Sequence, residues 1–450
     1  MSISPRGLSA ALGGLLCAAS TVAQAQNVQP AAVLFESVRI FNGTADGLTA
    51  PSNVLVVGNV IKSISTTPIA DPPGTVVTRI PGGGRTLMPG LIDNHVHLVF
   101  SASSQPDLLD PKMGIDVLQA RATEEAKQML LRGFTAVRDL GGPMLEARPA
   151  IDRGELPGPR IYPSGAMISQ TSGHGDFRHL HERARRFGGE LSRGELLGGA
   201  FIADGRDEVL TATRENLRAG ATQIKVMAGG GAASAYDPLD VAQYTLDEMK
   251  AAVEAADDWG TYVAVHAYTP KAVRRAVAAG VKCIDHGQLL DEDTVRLLAE
   301  KGVWLSLQAL DEAPPTAPAS TREKKHQVVV GADNAFQWAI KHGVRLAWGT
   351  DFLFAPANNK NQTADIVKLT QWLTPAQILK LVTHDNAQLL ALSGPRNPYP
   401  GNLGVVEEGA LADLLLVDGD PLAKLELLRD PGKTFVVIMK DGQVYKNTLQ

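Results

Sequence analysis

The chain has 450 residues, of which 44% are hydrophobic and 20% are charged, and its formal net charge is −5. This composition is typical of a globular protein, and the length suffices for one large domain and a smaller one. The mild negative charge, without a basic stripe, argues against a nucleic-acid partner.

The first 25 residues have the pattern of a secretory signal peptide. Arg6 precedes an apolar segment, and residues 23–25, Ala-Gln-Ala, form a small-x-small cleavage site. A disordered start or a membrane anchor are the alternatives, but the apolar run is short for a membrane span. A lipoprotein site at Cys17 is disfavoured because the large Leu16 precedes it. We therefore predict cleavage near Ala25, export to the periplasm or medium, and no membrane partner.

Both ends of the mature chain have the pattern of β-hairpins. Residues 32–85 alternate short apolar runs with turns, and the C-terminal KDGQVY has Asp441 at a predicted tight turn. Two β-rich ends around a long middle predict a small composite β-sandwich domain, built from residues 26–88 and 397–450.

The middle of the chain, residues 89–396, alternates strand and helix patterns. Thr245 and Glu248 have the spacing of a helix capping box, and several helical segments end at glycine. Eight strand–helix units are typical of an α/β fold of the (β/α)8 TIM-barrel type. The polar, glycine-rich stretch 167–204 is predicted to be a long loop on the carboxyl rim, where it would shape substrate access.

Polar side chains follow the predicted strands at their carboxyl ends, where the active sites of such barrels lie. Imidazole and carboxylate groups are the usual ligands of zinc and similar divalent ions. The candidate ligands, in strand order, are His95, His97, Lys225, His266, His286 and Asp351.

This ligand set is larger than one tetrahedral ion needs, so two divalent ions with a bridging hydroxide fit better. We expect zinc, although manganese and cobalt stay open. The ammonium of Lys225 would be repelled by metal ions, whereas a carbamate formed with CO2 could bridge them. The alternatives are an ordinary lysine in a one-metal enzyme and, for Asp351, a helix N-cap.

The chain resembles the metal-dependent amidohydrolase superfamily in this ligand pattern and in the split β-domain. The segments TAVRDLGG, SGHGD, IKVMAGGG and DHG are similar to those of prolidase-like and Xaa-Arg-like dipeptidases, a branch that includes ochratoxin-hydrolysing amidohydrolases. The resemblance covers nearly all of the mature chain and also implies a homo-oligomer. It implies that His95 and His97 bind the more buried metal ion and that His266 and His286 bind the other. It also implies that N6-carboxylated Lys225 binds both ions. Asp351 would be both a metal ligand and the proton carrier.

Other residues have two interpretations each. His174 in SGHGD either binds the substrate carboxylate or is a loop histidine bonded to the backbone. Tyr268 stands where relatives often have a histidine, which leaves substrate preference open; it either contacts the scissile carbonyl or packs against the rim. Arg138 and Asp139 form either a structural ion pair or a substrate contact. Asp413 resembles a recurring structural feature of the family's β-domain.

The resemblance implies hydrolysis of the amide bond of a dipeptide or N-acyl amino acid with a free C-terminal carboxylate. A metal-bridging hydroxide would attack, and Asp351 would act as general base and then general acid. The alternatives are an ochratoxin A amidase that releases phenylalanine, a lactonase and a deaminase. Deaminases of this superfamily usually lack a lysine at the position of Lys225, so Lys225 argues against that reaction. A non-enzymatic scaffold usually loses ligands, and none of the six is missing here.

Overall fold

The structure is a computed structural model that describes residues 31–143, 147–234 and 236–449. The predicted signal peptide, residues 1–25, lies outside these ranges. Among the helices of the described ranges, none combines the length and the apolar character that a membrane crossing requires.

The described residues form eighteen β-strands. They are β1 (Ala32–Ile40), β2 (Ser52–Val57), β3 (Val60–Ser65), β4 (Val77–Pro81), β5 (Thr86–Pro89), β6 (Leu91–Val96), β7 (Phe134–Asp139), β8 (Arg160–Pro163), β9 (Met167–Ser169), β10 (Ala200–Ile202), β11 (Ile224–Met227), β12 (Val263–Ala267), β13 (Cys283–His286), β14 (Trp304–Leu307), β15 (Leu346–Trp348), β16 (Leu414–Val417), β17 (Phe435–Lys440) and β18 (Gln443–Asn447).

The same residues form fourteen α-helices, with short 3-10 turns and one π-helical turn between some of them. They are α1 (Leu98–Ser101), α2 (Gln105–Leu109), α3 (Ile115–Leu131), α4 (Arg148–Asp152), α5 (Arg193–Leu196), α6 (Arg206–Arg218), α7 (Leu246–Asp258), α8 (Pro270–Ala279), α9 (Glu292–Lys301), α10 (Ala319–His342), α11 (Gln362–Val367), α12 (Pro375–Lys380), α13 (Asn386–Leu390) and α14 (Pro431–Thr434).

Strands from both ends of the chain share one eight-stranded sheet. Its order is β18-β17-β16-β5-β1-β2-β3, and β4 pairs with β1. Apolar residues of the two ends, such as Phe35, Val54 and Leu414, are buried together in one core. The predicted domain boundaries, 26–88 and 397–450, stay predictions.

The middle of the chain is built on parallel strands. One sheet has the order β10-β9-β11-β12-β13-β14-β15 and a second has the order β6-β7-β8. Backbone hydrogen bonds connect the two sheets, from the Thr222 amide just before β11 to the Pro163 carbonyl of β8, and from the Asp351 amide after β15 to the His95 carbonyl of β6, each 2.8 Å long. The fold is therefore mixed α/β, with a seven-stranded parallel sheet, and the closed (β/α)8 barrel stays a prediction.

Local sequence signals account for several element ends. The predicted capping box forms, since the Thr245 side chain accepts from the Glu248 amide while the Glu248 side chain accepts from the Thr245 amide. Helices α8, α9 and α10 end at Gly280, Gly302 and Gly343, each in the left-handed conformation that glycine adopts without a Cβ clash.

The stretch 167–204 differs from the long loop expected. It begins with β9 and also contains α5 and β10, and β9 and β10 pair in parallel at the edge of the seven-stranded sheet. Each of these strands has only three residues, which is too short for a clear alternation signal. Just before it, β8 and β9 do not form one continuous strand, because the chain turns between them at Gly165, whose φ is 71°.

A buried ion pair ties the parallel strands to the terminal sheet. The Arg160 guanidinium, at the start of β8, donates to both carboxylate oxygens of Asp413, at 2.9 and 3.0 Å. Asp413 also accepts from the Asp441 amide at 2.8 Å. These contacts agree with the structural interpretation of Asp413 and hold the turn between β17 and β18 against the middle of the chain.

Candidate metal centre

The six predicted ligands line one cavity of about 390 Å³, and all but Lys225, the second residue of its strand, lie at or just after the carboxyl ends of strands. His95 is in β6 and His97 directly follows it, Lys225 is in β11, and His266 and His286 are in β12 and β13, while Asp351 follows β15. Parallel strands present their carboxyl ends at one edge, so residues far apart in sequence converge there.

Asp351 is the meeting point of three imidazoles. Its Oδ1 lies 3.3 Å from the Nε2 of His95 and 3.4 Å from the Nε2 of His97. Its Oδ2 lies 4.0 Å from the Nε2 of His286. One ligand atom from each of His95, His97 and Asp351 falls within 4.8 Å of the other two, which is the separation of atoms that share one metal ion.

The remaining histidine extends the cluster. The ring centroid of His266 lies 4.4 Å from that of His286, and His286 lies 5.0 Å from His95. The four rings are therefore contiguous, with Lys225 lining the same cavity.

Carbonyl oxygens fix two of the rings. The Nε2 of His266 donates to the Gly230 carbonyl at 3.0 Å, and the Nδ1 of His286 donates to the Oε1 of Gln308 at 2.9 Å. Each bond sets the tautomer and leaves the opposite ring nitrogen as a lone-pair donor. The buried Nδ1 atoms of His95 and His97 have no hydrogen-bond partner among the described residues.

The shifted pKa values of several candidate ligands favour the protonation states that bind a metal ion. Burial, followed by the charge of Lys225, lowers the pKa of His95 well below its ordinary value, and burial lowers the pKa of His286 to about 4. Burial also lowers the pKa of His266 well below its ordinary value. For Asp351, burial raises the pKa, but the His97 hydrogen bond and nearby positive charges outweigh it and lower the pKa. Neutral imidazoles and an ionised carboxylate suit a divalent metal.

Two of the candidate ligands have an unusual backbone. His286 has a φ of 81° and Asp351 a φ of 53°, in the left-handed region that costs a residue with a Cβ about 1–2 kcal/mol. The surrounding structure holds them there, as the Asp351 amide bonds to the His95 carbonyl. Such conformations concentrate at functional sites because they turn a side chain from the strand into the cavity.

A buried carboxylate that the sequence reasoning did not assign lies beside Lys225. The Lys225 ammonium donates to the Oδ2 of Asp285 at 2.5 Å, and the Arg138 guanidinium donates to its Oδ1 at 2.6 Å. Burial alone would raise the pKa of Asp285, but these two charges lower it. Arg138 therefore pairs with Asp285 and not with Asp139, whose carboxylate accepts from the Leu98 amide at 3.2 Å.

Replacing Arg138 with methionine should destabilise the metal-free protein by about 3 kcal/mol, because Asp285 would keep only one of its two buried cationic partners. Urea unfolding of the chelator-treated protein measures this change. Arg153→Met is the matched control, since its pair with Glu155 is more than half exposed, and should change stability little. Equal midpoints for the two variants would contradict a structural role for Arg138.

His174 and Tyr268 both line the cavity. The Nδ1 of His174 bonds to the Oδ2 of Asp237 at 3.1 Å and to Ser234 at 2.8 Å, and its ring stacks 4.1 Å from that of His266. Burial raises the pKa of the Tyr268 hydroxyl well above its ordinary value, so this group remains a donor. Tyr268 lies 5.0 Å from His286, ring to ring.

The glycine-rich segment after β11 leaves room for His174. A Cβ on Gly231 would lie 1.8 Å from the Cε1 of His174, and the Gly231 amide donates to Asp237 at 2.7 Å. Glycine at this position therefore lets the imidazole reach its place between Asp237 and His266.

Gly231→Ala should displace the His174 ring and lower kcat/KM by about tenfold or more, while metal content stays unchanged. Steady-state kinetics and metal analysis of the same preparation measure both quantities. Gly47→Ala is the matched control, because a Cβ there meets nothing within 4 Å. Wild-type kinetics in Gly231→Ala would show that the position of His174 does not matter.

Three residues of the site, Gln308, Asp285 and Asp237, were not predicted from the sequence. Gln308 follows β14 at the same strand end as the ligands, so its position was a usable signal. Asp285 adjoins His286 in the DHG segment, but nothing in the sequence links it to Lys225. Asp237 meets His174 only because two separate loops fold together.

The chain matches known proteins over most of its length. The model of the amidohydrolase family matches residues 86–446. The ochratoxinase of Aspergillus niger is 33% identical over 374 residues, which are 80% of this chain and 75% of that protein.

Solved structures give the same result. A prolidase in complex with N-methylphosphonate-L-proline superposes with a TM-score of 0.84 at 31% identity, covering 93% of this chain and 100% of the prolidase. A Xaa-Pro dipeptidase with methionine bound in its active site superposes with a TM-score of 0.78 at 27% identity, covering 93% of this chain and 100% of the dipeptidase. The chain therefore belongs to the amidohydrolase family, in its prolidase-like branch, and is a hydrolase that acts on C–N amide bonds.

Proposed function

We propose that the protein is a binuclear metal-dependent hydrolase of dipeptides or N-acyl amino acids that have a free C-terminal carboxylate. The observation that carries this proposal is the convergence of the six ligand-type side chains on one cavity, with Asp351 within 3.4 Å of two imidazole nitrogens. An amidohydrolase needs activated water and a proton carrier, and this arrangement supplies residues for both tasks.

In this proposal His95 and His97 would hold one ion, His266 and His286 would hold the other, and Asp351 would be a further ligand. Burial lowers the pKa values of His95, His266 and His286, and this supports their assignment as neutral ligands. Lys225 is carboxylated by CO2, because its ammonium would repel cations whereas a carbamate attracts them. When bound, divalent ions, zinc in our proposal, would supply a water of lowered pKa and polarise the scissile carbonyl.

The chain's own residues then move the proton and orient the substrate. The Asp351 carboxylate accepts the proton of the attacking water and delivers it to the leaving nitrogen. The protonated Tyr268 hydroxyl donates a hydrogen bond to the scissile carbonyl oxygen, which becomes negative in the transition state. His174, held by Asp237, presents its free ring nitrogen to the substrate beside His266.

The substrate class is supported by the cavity and by the relatives. A volume of about 390 Å³ suits a dipeptide-sized molecule. Phe100, Phe177, Leu310 and Phe354 give the cavity apolar walls, which favour an apolar side chain next to the scissile bond. The prolidase and dipeptidase neighbours were solved with an L-proline phosphonate and with methionine, ligands of the same size class.

Hydrolysis of ochratoxin A is the second candidate. It is supported by the 33% identity to ochratoxinase and by the aromatic wall of the cavity, which suits an aromatic amide.

A substrate panel tests the proposed function. Purified protein is assayed, with and without a chelator, on Xaa-Pro, Xaa-Arg and Xaa-Phe dipeptides, N-acyl amino acids, ochratoxin A and a lactone. Chelator-sensitive release of a free amino acid from dipeptides or N-acyl amino acids is the expected result. Cleavage of ochratoxin A alone would favour the second candidate, and activity on the lactone alone would exclude both.

Three further features belong to this proposal. The closed (β/α)8 barrel is supported by the backbone hydrogen bonds that connect the two parallel sheets at two places, beside β8 and beside β6. Export is supported by the cleavage pattern at residues 23–25, and N-terminal sequencing of the periplasmic protein tests it. A homo-oligomer is supported by the family resemblance, and light scattering tests it.

A further inference from the structure

The positive groups of the cavity are nearly all paired. The Lys225 ammonium bonds to Asp285, and on the proposed carboxylation Lys225 would be an anion, while His174 bonds to Asp237. Lys368 lies 2.6 Å from Asp311 and 2.5 Å from Asp365, both of which also line the cavity. These cations have protein carboxylates as partners and are not free to bind an anionic ligand.

Lys325 is the exception. It lies near the start of α10 and lines the cavity, and no carboxylate of the described residues approaches its ammonium within 4.0 Å. Burial lowers its pKa, and of the carboxylates whose charges act on it, Asp351 acts most strongly. The ammonium is therefore partly desolvated, and Lys325 lines the same cavity as the candidate metal ligands.

The preceding lysine of the same helix, Lys324, does not have a free ammonium. Lys324 donates to the backbone carbonyls of Gly231, Ser234 and Asp237, at 3.1, 3.0 and 2.8 Å. Lys324 thus fastens the loop that orients His174. Two adjacent lysines on one helix have different tasks, and only Lys325 keeps its charge available to a ligand.

A partly buried ammonium without a partner has lost part of its hydration free energy. No ion pair compensates for this loss until an anion binds. Leu310 and Pro314 give the cavity that Lys325 lines apolar walls, and such walls lower the local dielectric and strengthen the attraction of an ammonium for a carboxylate. A carboxylate is also the anion that the proposed substrate supplies.

We propose that Lys325 binds the α-carboxylate of the substrate, the carboxylate that leaves with the released amino acid. This inference rests on the proposed function and adds its specificity-determining residue. The α-carboxylate is attached one carbon from the scissile nitrogen, so a cation that lines the same cavity as Asp351 is placed to bind it. Lys325 would thus select substrates with a free carboxyl terminus.

A matched pair of substrates tests this inference. Each active N-acyl amino acid is compared with its C-terminal carboxamide, which keeps the scissile bond but lacks the negative charge. Wild-type protein should prefer the acid, and Lys325→Met should raise KM for the acid by about tenfold or more while it leaves kcat/KM for the carboxamide nearly unchanged. Lys325→Arg should restore part of the preference, because its charge is kept. Lys341→Met, on the exposed face of the same helix, is the control and should behave as wild type.

A binding measurement separates the two levels of the proposal. Calorimetric titration with the free amino acid and with an N-acyl amino acid reports the affinity for the carboxylate even if no substrate is cleaved. Weaker binding to Lys325→Met than to wild type supports the inference whatever the panel shows. Equal binding, or an equal loss on acid and carboxamide, would overturn the role of Lys325 and leave the proposed hydrolysis standing.

Discussion

Replacing Asp351 with asparagine is expected to lower kcat by about a thousandfold, within the range that general acid–base catalysis contributes. Asparagine has nearly the same shape and keeps an oxygen that can face the His95 and His97 nitrogens, now 3.3 and 3.4 Å from the carboxylate. It cannot accept the proton of the attacking water or return it to the leaving nitrogen. Metal content should therefore persist while turnover falls.

Asp311→Asn is the matched control for this variant. Asp311 lines the same cavity, but its carboxylate pairs with Lys368 and is 78% exposed. We expect its kcat to stay close to that of wild type. A kcat for Asp351→Asn within about tenfold of wild type, with metal still bound, would exclude the proton-carrier role.

Replacing Lys225 with alanine is expected to abolish most activity and to lower metal content. The side chain is buried among the candidate ligands, and without a bridging anion the His266–His286 side of the centre would hold its ion weakly. The loss should exceed the about 10- to 100-fold change that removal of an outer partner of a metal site causes. Metal analysis and kinetics of one preparation measure both effects.

Chemical rescue makes the Lys225 prediction specific. The alanine variant has space for a short carboxylic acid, and acetate or propionate should restore part of the activity by supplying the missing anion. Wild-type apoprotein should also regain activity with metal faster in bicarbonate buffer than in CO2-free buffer. Lys341→Ala should show neither effect. Full activity of Lys225→Ala without any acid would exclude the bridging carbamate.

The sequence predicted the positions of the candidate ligands because strand order alone controls them. His95, His266 and Asp351 each come at or after the end of an apolar run, Lys225 lies within one, and parallel strands bring such runs together at one edge of a sheet. The amidohydrolase family followed from the same pattern and is confirmed by the family match over residues 86–446.

The parts that sequence reasoning missed depend on contacts between separate segments. The Arg138–Asp285–Lys225 arrangement joins three strands, and no local spacing indicates it. Lys325 is a candidate for binding the substrate carboxylate only because Lys368 and the other cavity cations already have carboxylate partners, and the sequence does not show these pairs. The stretch 167–204 was expected as a loop because the two strands within it are three residues long, and such triplets pair only when the sheet edge is present.

The central claim is that two metal ions and this ligand set perform amide hydrolysis. Its most direct test is a zinc titration of the metal-free protein, in bicarbonate buffer, that follows release of the amino acid from the best substrate of the panel. Activity that rises to a plateau at two equivalents of zinc per chain is the result that the proposal predicts. A plateau at one equivalent, or full activity in the metal-free protein, would contradict it.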